Sequence, residues 1–590
     1  MNRFFISIRW VLAAGLLLLG RPAPAQNTQL VIDQATTLPS LATPGSGSIL
    51  DLAEYTDALG NTYQAASFSG SVHFGSFTFI SPDASAEVVV AKRNAAGTYQ
   101  WAMTGGGTGT QRAKALAVDA AGNVYVTGFF DSATASFGSS TLTNRRPANS
   151  GTSDIFVLKV SPGGTWDWAV SAGGGTTING NDYATAIAVD ALGGVYVAGT
   201  FTSSVAFFGS IQVPSPDLYG RDIVFVAKLS SSGIWQWVSN SNGPGNIVRS
   251  VAAEPTGATY LSGECSGYIS YGPFLLLNPG GKQVQFIAKL DPAGTWTWLT
   301  KSIASRTAGG YSQHFGVVLD GLNSAYITGI FSCDTLKFGS TALTNTGPRV
   351  PPAYTDRTKK VFVAKLDVTT GRWRWAVQSR GDGDESMGGP VFDAQGNLYV
   401  GGAFSAPPGS SGQGTGSQFG TTTLFSAGGN DIVVAQLDTA GRWLWARRAG
   451  GPDNEGAGPR RIDAQGRVHI AGSFFGPSLP LGTTTLTAAP TASYTNYTTF
   501  TARLGANGPL AVRSGAAALF EVYPNPARTA VTVAGLPPGQ VVLVLDIVGR
   551  LVLRGVVPPR GALQLALPLG LPAGVYVVRA GTQTQRLVVE

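Results

Sequence analysis

One stretch of this chain is written seven times, and few architectures accommodate that. Its clearest copy runs from Ala115 to Ala169: ALAVDAAGNVYVTGFF, then SFGSSTLT, a loop, and DIFVLKVSPGGTWDWA. A tyrosine-type position marks each copy, at Tyr63, Tyr125, Tyr196, Tyr260, Tyr326, Tyr399 and His469, 62 to 73 residues apart. An aromatic-Gly pair follows in each, from Phe74-Gly75 to the decayed Leu481-Gly482, and then an apolar strand such as VVVAK, IFVLK or IVFVAK. A unit of this size buries little by itself, so its recurrence implies neighbours that stack on one another.

Within a copy, period-two alternation marks strands and the turn chemistry marks where they reverse. In AVDAAGNVYV the Asp119 carboxylate can cap turn amides, and Gly122 tolerates positive φ, which predicts a hairpin. The same turn recurs at Asp190, Asp393 and Asp463, and Pro162-Gly163-Gly164 closes a second hairpin. Four principal strands per copy, with the aromatic-Gly segment as an extra edge piece, predict an all-β chain whose seven copies are the blades of a β-propeller.

Apart from Trp10, every tryptophan lies in one motif: Trp101, Trp166/Trp168, Trp235/Trp237, Trp296/Trp298, Trp373/Trp375 and Trp443/Trp445. Residues i and i+2 of a regular strand share a face. The expectation is two rings on one side of each sheet, packed between copies rather than forming a sugar-stacking strip. Both hairpin turns lie at one end of a copy, so the longer connections share the other. These are 144–153, 213–221, 346–360 and 405–418, together with the links GDGDES (381–386) and GPDNEG (451–456). Variable loops on a rigid scaffold are where binding residues usually sit.

The totals exclude some partners. A formal charge of +7 suggests nucleic acid, yet Arg3, Arg9 and Arg21 lie in the N-terminal segment, and residues 519–590 hold six Arg against three acids, which leaves the repeats near +1. No broad basic footprint for phosphate backbones remains. Arg3 and Arg9, an apolar run from Trp10 to Leu19 and Ala23-Pro24-Ala25 have the pattern of a secretory signal cleaved after Ala25. No later stretch is long and apolar enough for a membrane helix. In an oxidising compartment Cys265 and Cys333, just after the same strand in neighbouring copies, could form a cross-copy disulfide or remain buried thiols.

The domains read from these signals are a signal peptide (1–25), a lead-in holding a possible closing strand (26–47), the repeats (48–515) and a small C-terminal β-sandwich (519–590). Gln29 to Ala35 and Leu510 to Ser514 compete as the closing strand. The motifs GNVYVTGFF, DIFVLK and GTWDWA resemble a bacterial family of secreted propeller-type repeats, found also in cell-surface and S-layer-like proteins. That resemblance implies a fold and no activity. Tyr523-Pro524-Asn525-Pro526, Asp546 with Gly549-Arg550, and LPAGVYVVR containing Gly574 and Tyr576 resemble the type A sorting domain of the type IX secretion system. That resemblance implies export across the outer membrane by the type IX machinery and removal of the domain, leaving the body released or held on the cell surface.

Catalytic motifs are absent: there is no HExxH, GxSxG elbow, P-loop or paired-cysteine zinc spacing, and His73, His314 and His469 are scattered. Asp382, Asp384 and Glu385, with Asp453 and Glu455 in the next equivalent loop, are the candidates for a Ca²⁺ site or for catalytic acids, against solvated turns. The repeated cations Lys92, Lys159, Lys228, Lys289, Lys365 and Arg503 suggest no site beyond solvated strand ends. No cofactor is required. The reading is a secreted or cell-surface scaffold that binds an extracellular glycan or protein through its varied face, with a polysaccharide hydrolase or lyase and a structural surface-layer component as alternatives.

Overall fold

The computed structural model describes residues 29–30, 32–37 and 42–589, apart from 58, 84, 146–150, 175–179, 218, 245, 266, 279–283, 306–309, 351–355, 408–415, 464, 483, 489–497, 506–519, 547–550, 560, 569–570 and 581–582. The cleavage position Ala25, the alternative closing segment 510–514, and Gly549 and Arg550 lie outside the described residues. Every described element is a strand, and the sheets are antiparallel. The chain divides into two units, 1–508 and 509–590.

In the first unit the repeat appears as successive four-stranded meanders. The second copy shows the pattern: Gln111–Val118, Val124–Phe130, Asp154–Val160 and Trp166–Gly173 pair in that order. Its two turns are built as their residues predict. Asp119 Oδ1 accepts the Ala121 and Asn123 amides at 3.0 and 2.9 Å, and Gly122 sits at φ +85°, where a side chain is strained. The sixth copy is the irregular one. Its first strand is interrupted between Asp384–Met387 and Val391–Phe392, where Gly388, Gly389 and the donor-less Pro390 intervene. In the seventh copy the strand after Thr498–Leu504 is not the next in sequence. Ile32–Thr37, from the start of the chain, pairs there.

The aromatic-Gly segment is a short hairpin, and it ties copies together. Val205–Phe208 of the third copy pairs with the fourth strand of the second (Ala172↔Phe208, Gly173↔Phe207). Ser241↔Tyr271 and Ser302↔Phe338 repeat that link in the next two copies. Apolar clusters fill the spaces between neighbours; Tyr125 and Val157 of the second copy pack with Phe201 and Phe225 of the third. The first and seventh copies also meet, where the Arg461 guanidinium lies against Gly60.

The C-terminal unit has two sheets. Glu521–Tyr523, Ala530–Ala534 and Ala562–Ala566 form one; Leu551–Val556, Val541–Leu545, Gly574–Ala580 and Gln583–Val589 form the other. Val531, Val533, Val544, Tyr576, Val578 and Leu587 share one core. Of the sorting-motif residues, Tyr523 is exposed, Asn525 accepts the Val588 amide at 2.8 Å, and Tyr576 donates to the Pro572 carbonyl at 2.8 Å. Pro524 and Pro526 are exposed, Gly574 opens its strand, and Asp546 follows Val541–Leu545.

Candidate functional site

At the turn end of the copies, one network recurs. The acid that caps the first turn also accepts the hydroxyl of the marker tyrosine: Asp119 from Tyr125 at 3.1 Å, Asp190 from Tyr196 at 2.8 Å. The strand-end lysine lies over the same ring, 5.0 Å from its centroid for Lys228 over Tyr196 and for Lys289 over Tyr260. Burial and then the neighbouring acid push these phenols well up from their ordinary range. The sixth copy substitutes Gln436, which donates to Tyr399, and in the seventh His469 sits 3.1 Å from Asp463. Lys92, Lys159, Lys228, Lys289 and Lys365 are thus each held over the tyrosine of their own copy.

The tryptophans depart from the period-two expectation. A register shift in every copy places Trp166 opposite Val160 and Trp168 opposite Lys159, adjacent residues that face opposite ways. The two rings therefore serve two different junctions. Trp166 packs with Val160 among first- and second-copy residues, whereas Trp168 packs with Tyr125 among second- and third-copy residues. The bulge is the reason: one extra residue in the strand breaks the rule that i and i+2 share a face. The second ring of each pair then links its copy to the next. The indole N–H of Trp168 donates to the Ser231 carbonyl, Trp237 to Pro292 and Trp298 to Val368, at 3.0 to 3.1 Å.

At the opposite end, the acids singled out from sequence enter copy junctions. Glu385 is fully buried; its Oε2 accepts the Val361 amide at 3.2 Å and the Ser379 hydroxyl, and Lys360 lies 3.6 Å from Oε1. Burial raises its carboxyl, opposed by Lys360. Asp384 pairs with Lys359 at 2.9 Å. Glu455 sits in the next junction beside Asp431, around Gly450, and accepts the Gly451 amide at 3.2 Å. Burial, then the charge of Asp431, push it up to about 7. Asp453 lies against Gly476, and Asp382 donates its amide to the Gly416 carbonyl. Glu385 and Glu455 thus belong to separate junctions, and among the described residues no three His, Cys, Asp or Glu side chains gather to hold a metal.

The partners in those junctions carry a fainter mark in the sequence. Glu87, Asp154, Lys360 and Asp431 each open or directly precede the apolar run of a third strand, and all four are buried. Burial pushes Glu87 and Asp154 up to about 7, with the charges of Asp83 and Asp182 adding to it. The signal was there: a charged residue immediately before VVV, IFV, VFV or IVV. The disulfide considered above does not form. Cys265 and Cys333 are buried thiols in different apolar clusters. His314 is buried as well, and burial brings it down to about 3, so its ring stays neutral.

Two open grooves lie where the hairpins approach the varied loops. The first, about 980 Å³, is lined by Thr141–Arg145, Val170, Ser171, Phe207, Gly209, Ser210 and the Gly233–Trp235 turn. The second, about 710 Å³, is lined by Thr341–Thr344, Thr346, Ala376–Gln378, Arg380, Gln418, Gly420 and Trp443. The two are equivalent places in the repeat. Each uses the outer hairpin strand of one copy, the fourth strand of that copy, the aromatic-Gly glycine of the next, and the first tryptophan of its pair.

No family model matches the chain, and no curated protein matches it. Solved structures that are similar include a protein of unknown function from Dyadobacter fermentans (12% identity, 64% of this chain and 97% of that one, TM-score 0.32). PorZ, described as a surface component of the type IX secretion system of Porphyromonas gingivalis, aligns over 96% of this chain and 99% of its own at 10% identity and a TM-score of 0.16. A polysaccharide lyase described as an ulvan lyase aligns over 70% and 95% at 11% identity and 0.29. Likenesses at these scores identify neither a family nor an activity.

Proposed function

We propose that this chain is a secreted or cell-surface β-propeller that binds an extracellular ligand in grooves along its outer hairpins. In this reading the seven copies are blades and Ile32–Thr37 closes the ring. Residues 519–590 are a sandwich-like sorting domain that engages the type IX machinery. The observation that carries the binding role is the recurrence of one groove at two equivalent junctions, each opening beside a varied loop. Threonine hydroxyls, amide side chains and an indole suit a polyhydroxylated or extended ligand. Two of the acids that would serve a hydrolase or lyase, Glu385 and Glu455, are buried in blade junctions, which favours binding over turnover.

The test is co-sedimentation of the purified chain with a panel of insoluble polysaccharides, with and without EDTA, each supernatant being assayed for released sugar. Retention without release is the expected result. Release of sugar would make the protein an enzyme, and loss of retention in EDTA would require a metal. For the sorting role, deletion of 519–590 is expected to leave the body in the periplasm; its normal appearance outside the cell would overturn that assignment.

A further inference from the structure

We propose that the two grooves are subsites for an anionic polysaccharide, each presenting one arginine to an acidic sugar. The proposal rests on the binding role above and names its ligand class. Each groove contains one cation, Arg145 or Arg380, and no Asp or Glu lines either of them. Both arginines are exposed, and neither guanidinium forms an ion pair among the described residues. Asp154, which accepts the Arg145 backbone amide at 2.8 Å and feels its charge, is buried behind the groove and does not line it. Elsewhere on the same scaffold arginines are matched: Arg112 to Asp51, Arg249 to Glu264 and Arg357 to Asp334.

The guanidinium of Arg145 lies 4.6 Å from the ring centroid of Phe207, a wall of its groove, so the cation is held over an aromatic face. A planar guanidinium pre-set in this way matches a carboxylate or sulfate bidentately. The walls around it are polar, with the hydroxyls of Thr141 and Thr143 in one groove and Thr344, Gln378 and Gln418 in the other. That lining answers the hydroxyls of a sugar chain rather than the apolar side chains of a peptide. Two like subsites on one body also favour a polymer, since the second contact becomes intramolecular.

The experiment is affinity electrophoresis of the purified chain in gels containing polygalacturonate, laminarin (a neutral glucan) or polyglutamate, at low and high salt. Polygalacturonate is expected to retard the protein and salt to relieve it. Arg145→Ala or Arg380→Ala should each weaken the affinity about tenfold, the loss of one charge-assisted contact, and the double variant should abolish retardation while its melting temperature stays that of the parent. Retardation by laminarin alone would overturn the anionic class and leave the binding role standing. Equal retardation by polyglutamate, or an unaffected double variant, would also overturn it. No retardation in any gel would remove both the class and the binding role.

Discussion

The two ends of the repeat obey different rules. At the turn end each copy repeats a capping acid, the marker tyrosine or its substitute and a cation or its substitute, and in the second, third and fourth copies the indole N–H reaches the next copy's turn. At the loop end three junctions each have a different polar pair. Asp154 faces Asp182, Lys360 faces Glu385, and Asp431 faces Glu455. The difference teaches that a repeat protein needs its stacking terms to recur, because each junction must hold unaided. The other end need only satisfy buried polar groups somehow, and there sequence is free to diverge.

The largest break in that contrast should come from the recurrent end. Trp298→Ala removes a buried ring and the hydrogen bond to Val368, and should cost about 3–5 kcal/mol in calorimetric unfolding. A loss below about 1 kcal/mol would mean that the second ring of the pair is not what joins the copies.

An intermediate effect is expected at the varied end, and it depends on pH. Glu87, Asp154 and Glu455 are held near 7, above their ordinary values, so the folded chain binds protons that the unfolded chain has already released. Their contribution is complete below about pH 4 and is lost as pH rises through about 7. Melting temperature should therefore fall over this interval. Asp154→Asn should flatten the fall and raise the melting temperature at the alkaline side; an unchanged slope would place the titration elsewhere.

The smallest effect should follow Tyr196→Phe, which deletes one hydroxyl from the repeated network. About 1 kcal/mol is expected in denaturant titration. The acid left behind keeps its Leu192 and Gly194 amides, at 2.9 and 2.8 Å, which limits the loss.

Much of the fold was readable from residues alone. Alternation and the Asp119-type turn give the strands and hairpins because both depend on neighbours a few positions away. The aromatic-Gly hairpin was readable as an extra edge piece, but not the copy it pairs with, since Ala172↔Phe208 joins residues far apart in the chain. The candidate site was less legible. Asp382, Asp384, Glu385, Asp453 and Glu455 read as exposed loop acids, while the fold carries Glu385 and Glu455 into junctions whose other halves, Lys360 and Asp431, lie 25 and 24 residues earlier.

By itself, then, the sequence determined the number of copies, the strands within each and the turns that cap them, for these rest on local periodicity and backbone chemistry. Tertiary structure decided which way the tryptophans face, which acids are buried, that Ile32–Thr37 pairs with the seventh copy, and where the grooves open. A single bulge reverses a side chain without leaving a mark in the spacing of WxW, and burial of a carboxylate depends on a partner from another copy. Both are properties of register and of junctions, which exist only once the copies have met.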